Sequence, residues 1–557
     1  MSDPAAVPAI PTFPARQPVD FVIVGSGAAG GVMARELARA GFGVVLLEQG
    51  PHRTAANFTH DELSTQFNNE LVGSDNVQTY RRTPKDTAKP QNSPPPALYA
   101  QGVGGSSVHF SGNYWRLRPS DFKEKSKLGA IAGTGFDDWP ISYEELEPYY
   151  TRVDWEIGVS GAPGPSDPPR SKPYPLPPMP LKSSGALLET AATKLGLHPQ
   201  VAPVAILSQN YNGRAACIHC GFCMGFGCEA GAKSSTLATM IPEALATGRC
   251  ELRARCAVYR VETGKDGRVS EVQYWDEKGR PQAQKAKAVV LCANGAETPR
   301  LLLMSSSPKF PQGLANGNGR VGKGLMFNSH SVAHGVFDQP LHDYKSIQCS
   351  RMVHDFYESD PRRGFYGGGG IDARPFLAHS PMLFALTTVP PDVPRWGAEY
   401  KKYLAYAFTR HMAVLGSGTS LAVDANSITL DPKLKDSLGR PAIRVTYHDH
   451  PEDLKLAAFL QDRSMELLQA AGANKAWRDP IEPSSIGTHL LGTCRMGDDP
   501  KNSVVDRYHR AHEVKNLFIV DGSSFVTSGR GQPTMTIQAL AFRAAGHIAK
   551  FAKQGEI

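Results

Sequence analysis

Residues 21–48 read FVIVGSGAAGGVMARELARAGFGVVLLE, and the reading of this stretch decides the fold. Phe21–Val24 is a short apolar run of the kind that forms a buried strand. It leads directly into Gly25-Ser26-Gly27-Ala28-Ala29-Gly30. A helical pattern follows to about Ala40, and a second apolar strand, Val44–Leu47, ends in Glu48. Strand, glycine turn, helix, strand and terminal acid together make the dinucleotide-binding fingerprint. Gly25 permits the tight turn, and Gly27 lets the backbone approach a pyrophosphate. Gly30 lets the helix pack close to the sheet, so that its N-terminus faces the phosphate charge. Glu48 is placed to accept hydrogen bonds from a ribose diol. The fingerprint by itself does not separate NAD from FAD.

At 557 residues the chain exceeds one hydrophobic core, and two or more domains are expected. The formal charge of +7 is spread along the sequence, with no basic run interleaved with aromatics. That distribution disfavours nucleic-acid binding and suits, at most, an acidic partner. No apolar run is long enough for a membrane span. Residues 1–18 (MSDPAAVPAIPTFPARQP) lack a basic n-region, an apolar h-region and a twin arginine, so no signal peptide is read there. Co-export with a signal-bearing partner to the periplasmic side of the inner membrane, or a cytoplasmic location, both fit this reading.

The polar stretch 52–98 leads into Gly102-Val103-Gly104-Gly105-Ser106-Ser107-Val108-His109, and the proline-dense run 163–181 reads as an extended surface connector. Ala257–Glu262 and Val269–Trp275 alternate around an Asp266-Gly267 turn, as antiparallel strands do. Ala288–Leu291 reads as a buried strand before a helix through Leu301–Met304. Residues 330–450 are β-rich by composition and contain the glycine run Gly367–Gly370, read as flexible and without an assigned purpose. Pro451–Ala471 is an amphipathic helix with Leu454, Ala457, Ala458, Met465 and Leu468 on one face. The organisation expected is a discontinuous nucleotide-binding domain (18–115, 205–329 and 495–557), a connector (116–204) and a substrate domain (330–494).

Four of the nine cysteines fall in one run, Cys217-x2-Cys220-x2-Cys223-x4-Cys228. The spacing resembles ferredoxin loops that hold iron–sulfur clusters, although the last gap is one residue longer and Glu229 replaces the usual proline. Zinc on four thiolates, two disulfides or a glycine-rich loop of reduced thiols are the competing readings. The other five cysteines stand in mostly apolar contexts and read as buried thiols.

The C-terminal strings GTHLLGTCRMG (487–497), NLFIVDGSS (516–524) and PTMTI (533–537) join the N-terminal fingerprint, the Gly104-Gly105-Ser106 loop and Ala293–Pro299. Together they resemble the glucose–methanol–choline (GMC) oxidoreductases, FAD-dependent alcohol dehydrogenases and oxidases, over nearly the whole chain. The resemblance implies an α/β FAD-binding Rossmann-like domain with an interleaved α+β substrate-binding domain on a mostly antiparallel sheet. It implies FAD as cofactor, with Val258, Asp521, Gly522 and Thr534 added to the residues that hold it. His489 of the HxxGT string would lie above the flavin, where a neutral imidazole suits removal of a hydroxyl proton. The second catalytic position, usually Asn or His, is Gln532, which hydrogen-bonds but cannot serve as a base. His109 has the spacing of a histidine that attaches FAD covalently in some members; a non-covalent contact is the alternative.

The cysteine run and the KPYPLPPMPL connector (172–181) further resemble the catalytic subunits of bacterial FAD-dependent sugar dehydrogenases of glucose and gluconate type. That likeness implies an iron–sulfur cluster, 3Fe-4S favoured over 4Fe-4S, on Cys217, Cys223 and Cys228, with Cys220 extra. It also implies a small accessory subunit and a multihaem cytochrome c as partners. The expected reaction is oxidation of a sugar or polyol hydroxyl to a lactone, keto-sugar or 3-keto-glycoside, the electrons leaving through the cluster. An oxygen-using alcohol oxidase without a cluster, and a non-catalytic flavin- or zinc-binding assembly subunit, are the alternatives.

Overall fold

Hydrogen-bond register brings the first strand of the chain and one of its last into the same sheet. The computed structural model describes residues 11–73, 76–376 and 379–557, so residues 1–10 of the leader reading lie outside the described residues. Cys250–Arg253, Val44–Leu47, Val19–Val24 and the C-terminal half of Pro281–Leu291 run parallel, and Leu517–Ile519 pairs with the last of these. All four residues of Val44–Leu47 are buried, as a parallel strand covered on both faces requires. The helix Ala28–Arg39 covers this sheet and packs against both Met240–Ala246 and the terminal helix Thr534–Lys553. The two ends of the chain therefore meet helix to helix. Pro281–Leu291 is longer than the buried segment read from the sequence. Its N-terminal half turns outward to pair antiparallel with Val269–Trp275, which pairs in turn with Ala257–Thr263.

A second sheet is antiparallel throughout, in the order Lys475–Arg478, Ser329–Val336, His411–Gly418, Gly369–Arg374, Arg351–Val353, Pro199–Val201. The helix Pro451–Ala470 lies across it and buries Leu456, Leu460, Leu467 and Leu468. Ala458 is exposed, and Leu454 and Met465 are only partly buried, so the apolar face is rotated from the one the periodicity suggested. The architecture is the α/β plus antiparallel α+β arrangement expected. Within 330–450 the β-rich reading omitted two helices, Pro381–Thr387 and Gly397–Ala407.

The glycine run 367–370 is packed, not flexible. A Cβ on Gly368 would lie 2.0 Å from the Tyr357 carbonyl oxygen, and one on Gly369 would lie 2.3 Å from that of Ser417. These glycines let the start of the strand Gly369–Arg374 close against its neighbours. A small third sheet joins Gln78–Arg81 and Lys89–Pro90, from the stretch read as polar, to Pro441–Thr446 and Ser427–Lys435. Among the described residues no helix is long and apolar enough to cross a membrane.

Candidate active site

The parallel register aligns Val24, Leu47, Leu291 and Ile519, so the residues that follow them gather at one edge of the sheet. Gly25, Glu48, Ala293 and Asp521 are therefore neighbours, at the carboxyl end where open α/β sheets bind ligands. A Cβ on Gly25 would sit 2.5 Å from the Cys292 carbonyl oxygen, and one on Gly30 only 1.8 Å from that of Gly25. The Gly104–Ser106 loop docks on this turn. Gly104 N–H donates to Ser26 Oγ at 3.1 Å, and a Cβ on Gly105 would lie 2.8 Å from Gly27 Cα. The Ser106 hydroxyl oxygen accepts from Ala100 N–H at 3.1 Å.

The Glu48 carboxylate accepts from Ser26 N–H (3.1 Å), Ser26 Oγ–H (2.7 Å) and Gly50 N–H (2.9 Å). A carboxylate offers about four lone-pair sites, and Gly102 N–H approaches as a further donor. Burial pushes this carboxyl up, and the Gly50 and Ser26 bonds pull it back. Asp521 accepts from Asn294 N–H (3.0 Å), Thr298 Oγ–H (2.6 Å) and Ser523 N–H (2.8 Å), which fixes Gly522 beside the fingerprint turn. Val258 is buried on its strand opposite Tyr274. The helices starting at Ala28 and Thr534 have no capping side-chain bond and no acidic first-turn residue. Their first N–H groups are thus left for an acceptor, and this edge suits the phosphates and ring carbonyls of FAD.

His489 and His330 lie deep enough for desolvation to dominate their protonation, yet His489 is half-buried and His330 exposed. Their rings meet edge to face with centroids 5.6 Å apart. Burial, then His330 and then Arg374, pushes His489 down to about 3; burial and Arg374 push His330 down to about 4. Both imidazoles are uncharged at neutral pH. Asn328 Oδ1 lies 3.0 Å from His489 Nδ1. Its Nδ2 donates to Gly418 O and Gly529 O, both at 3.1 Å, and Gly529 opens the segment that ends in Gln532. Gln532 and Thr534 are partly exposed there. Sequence reasoning found neither Asn328 nor His330, because nothing local marks a residue whose partner is brought in by strand pairing.

His109 lies at the end of the Gly105–Val108 turn with a buried Nε2 that has no hydrogen-bond partner. Burial, then Lys233, pushes it down to about 4. The cysteine loop packs directly behind it. All nine cysteines are free thiols, and the five outside the loop are buried as expected. Cys223, pushed up to about 12 chiefly by burial, has Lys233 and the thiols of Cys217, Cys220 and Cys228 as electrostatic neighbours. However, among the described residues no three His, Cys, Asp or Glu side chains are placed to hold a metal ion. The thiols of Cys217, Cys220, Cys223 and Cys228 gather in one loop, and nothing in the structure shows an iron–sulfur cluster on them. A cavity of about 310 Å³, lined by Asp137, Trp139, Arg495, Asp499 and Asn502 among others, holds none of the expected site residues.

A family model described as GMC oxidoreductase matches residues 19–330, and a second, likewise GMC oxidoreductase, matches 422–541. The chain is 37% identical over 536 residues to 2-methyl-1,2-propanediol dehydrogenase of Mycolicibacterium austroafricanum, covering 95% of each chain. It is 30% identical over 577 residues to the gluconate 2-dehydrogenase flavoprotein of Pantoea cypripedii, covering 95% of this chain and 93% of that one. Pyridoxine 4-oxidase from Mesorbium loti shares the fold, with a TM-score of 0.62 at 18% identity over 95% of this chain and 99% of that one.

Proposed function

This chain belongs to the GMC oxidoreductase family, FAD-dependent enzymes acting on CH–OH groups, and from that premise we propose that it is a dehydrogenase of a polyol or sugar hydroxyl. The observation that carries the proposal is the neutral His489, joined through Asn328 to the segment that carries Gln532. FAD, when bound, supplies the two-electron acceptor. Gly25, Gly27, Gly30, Glu48, Gly104, Gly105, Asp521 and Thr534 would hold it. His489 takes the hydroxyl proton, a step open to it because burial keeps the ring uncharged. Gln532 orients the hydroxyl by donating or accepting a hydrogen bond, and His330 packs edge to face against the base.

The names of the two relatives support a dehydrogenase of diols or sugar acids. A cytochrome-type acceptor and a small accessory subunit complete the proposal, supported by the resemblance to sugar dehydrogenases. An iron–sulfur relay through Cys217, Cys223 and Cys228 is supported by that resemblance alone. Anaerobic assay of diols and aldoses with a dye acceptor tests the reading, with peroxide measured in parallel in air. His489→Ala is expected to lose about 10²- to 10⁴-fold in turnover with FAD still bound. Peroxide formed at the full rate of substrate oxidation would instead make the enzyme an oxidase.

A further inference from the structure

We propose that Asn328 is the positioning residue of the base: it fixes the His489 tautomer so that Nε2, not Nδ1, receives the substrate proton. The proposal rests on the reading of His489 as the base. Asn328 immediately precedes the strand Ser329–Val336, is 2% exposed, and has a left-handed φ of 62°. Asparagine tolerates that conformation better than most residues.

The argument is one of donors and acceptors. Asn328 Nδ2 faces two carbonyl oxygens, Gly418 O and Gly529 O, each at 3.1 Å. A carbonyl only accepts, so the amide cannot be turned round without setting its own oxygen against both. Oδ1 is therefore the atom that faces His489 Nδ1 at 3.0 Å. Oδ1 also only accepts, so Nδ1 must carry the hydrogen. The neutral ring holds one N–H, and Nε2 is left with the free lone pair. Asn328 does this without adding a negative charge that would raise the imidazole pKa. The same side chain ties the end of the strand His411–Gly418 to the Gly529–Gln532 segment, so base and partner loop share one anchor.

The test uses Asn328→Gly, Asn328→Asp and His489→Ala in the flavin-loaded enzyme. Glycine keeps the left-handed backbone free of strain and removes only the amide. Asn328→Gly is expected to lower kcat about 10- to 100-fold with KM and flavin content nearly unchanged. Asn328→Asp keeps the acceptor for Nδ1 and adds charge, so it should move the acid limb of kcat/KM to higher pH, while the oxygen it sets against Gly418 O and Gly529 O keeps kcat below wild type. In wild-type protein with ¹⁵N-labelled histidine, the His489 signals, assigned by their loss in His489→Ala, should show a protonated Nδ1 and a bare Nε2. An Asn328→Gly enzyme with wild-type kcat and pH profile, beside an inactive His489→Ala, would overturn the positioning role and leave the base standing. A protonated Nε2 would overturn the proposal even if no Asn328 variant folds. Full turnover in His489→Ala would remove the base itself, and the positioning role with it.

Discussion

The backbone N–H of Gly225 donates to the carbonyl oxygen of His109 at 2.7 Å, which joins the cysteine loop to the end of the Gly105–Val108 turn. Lys233 secures the joint. Its ammonium is buried and donates to Phe110 O (3.0 Å), Cys223 O (2.6 Å) and Phe226 O (2.8 Å). Lys233→Met keeps the stem and strands three buried carbonyls, a loss of about 3 kcal/mol or more. A lower melting temperature and a reduced flavin-to-protein ratio are expected. A variant with unchanged melting and flavin content would show that the loop is held by other contacts.

The same loop sets the expectation for metal. Its thiols are free, and Cys217, Cys220 and Cys228 are partly exposed. With the thiols held as the structure has them, anaerobically purified protein should carry flavin without stoichiometric iron. Iron and labile sulfide per flavin is the measurement. About three irons per flavin, with sulfide to match, would mean that the loop closes on a cluster when one is supplied.

Gly30→Ala should abolish flavin binding. The added Cβ would meet the Gly25 carbonyl oxygen at 1.8 Å, a backbone atom that cannot swing aside. The helix Ala28–Arg39 would have to back away from the turn, taking its unpaired N–H groups out of reach of a phosphate. The purified variant should be colourless at a yield similar to wild type. Bound FAD at the wild-type ratio would show that the turn has room to relax.

The fingerprint was legible because its information is local: two short apolar strands, three glycines and Glu48 occupy consecutive positions, and the sheet register does the rest. The family resemblance likewise reached His489 and Gln532, since both stand in recognisable strings. What escaped was set by pairing between distant segments. Asn328 and His330 meet His489 across 161 and 159 positions of chain, through a loop closure that no periodicity reports. The helix Pro451–Ala470 was placed correctly with its buried face rotated, because Asp453, Gln461 and Ser464 are buried polar residues that blur the apolar stripe. Gly367–Gly370 reads as loose from composition alone, and only the neighbouring carbonyls show why side chains are excluded there.

Acid should destabilise the fold earlier than the carboxylates alone would make it. His354 and His509 are pushed down to about 3 and His379 to about 4, in each case chiefly by burial. An unfolded histidine titrates near 6.5. Between about pH 4 and 6.5 the unfolded chain thus binds more protons than the native one, so stability rises with pH across that window and is level above it. Each such histidine contributes up to about 1.4 kcal/mol per pH unit in the window. Urea midpoints from pH 7.5 to 5 should fall steadily, and His354→Phe should flatten the fall. Midpoints independent of pH above 5 would rule out burial of neutral histidines as the cause.

Arg530 stands two residues before Gln532 and is wholly buried, with its guanidinium on Asp121 and Glu124 and on Ser359 Oγ at 2.9 Å. Asp121 also accepts from Tyr357 Oη–H (2.6 Å) and Arg118 N–H (2.7 Å), so one carboxylate fixes the loop from three sides. Breaking a buried ion pair from one side leaves a charge without its partner and costs about 3–5 kcal/mol. Asp121→Asn keeps the shape and leaves Glu124 in place, so a loss near the lower end is expected, seen as a lower melting temperature. Activity should fall as well, because the loop that loses its anchor carries Gln532. Adding Arg530→Met to Asp121→Asn strands the buried Glu124 carboxylate and should lower the melting temperature further. Activity should fall with it, since the methionine cannot hold the loop to Glu124 and Ser359. Activity unchanged in both variants would mean that the ion pairs serve stability alone and that Gln532 is positioned by the backbone around Gly531.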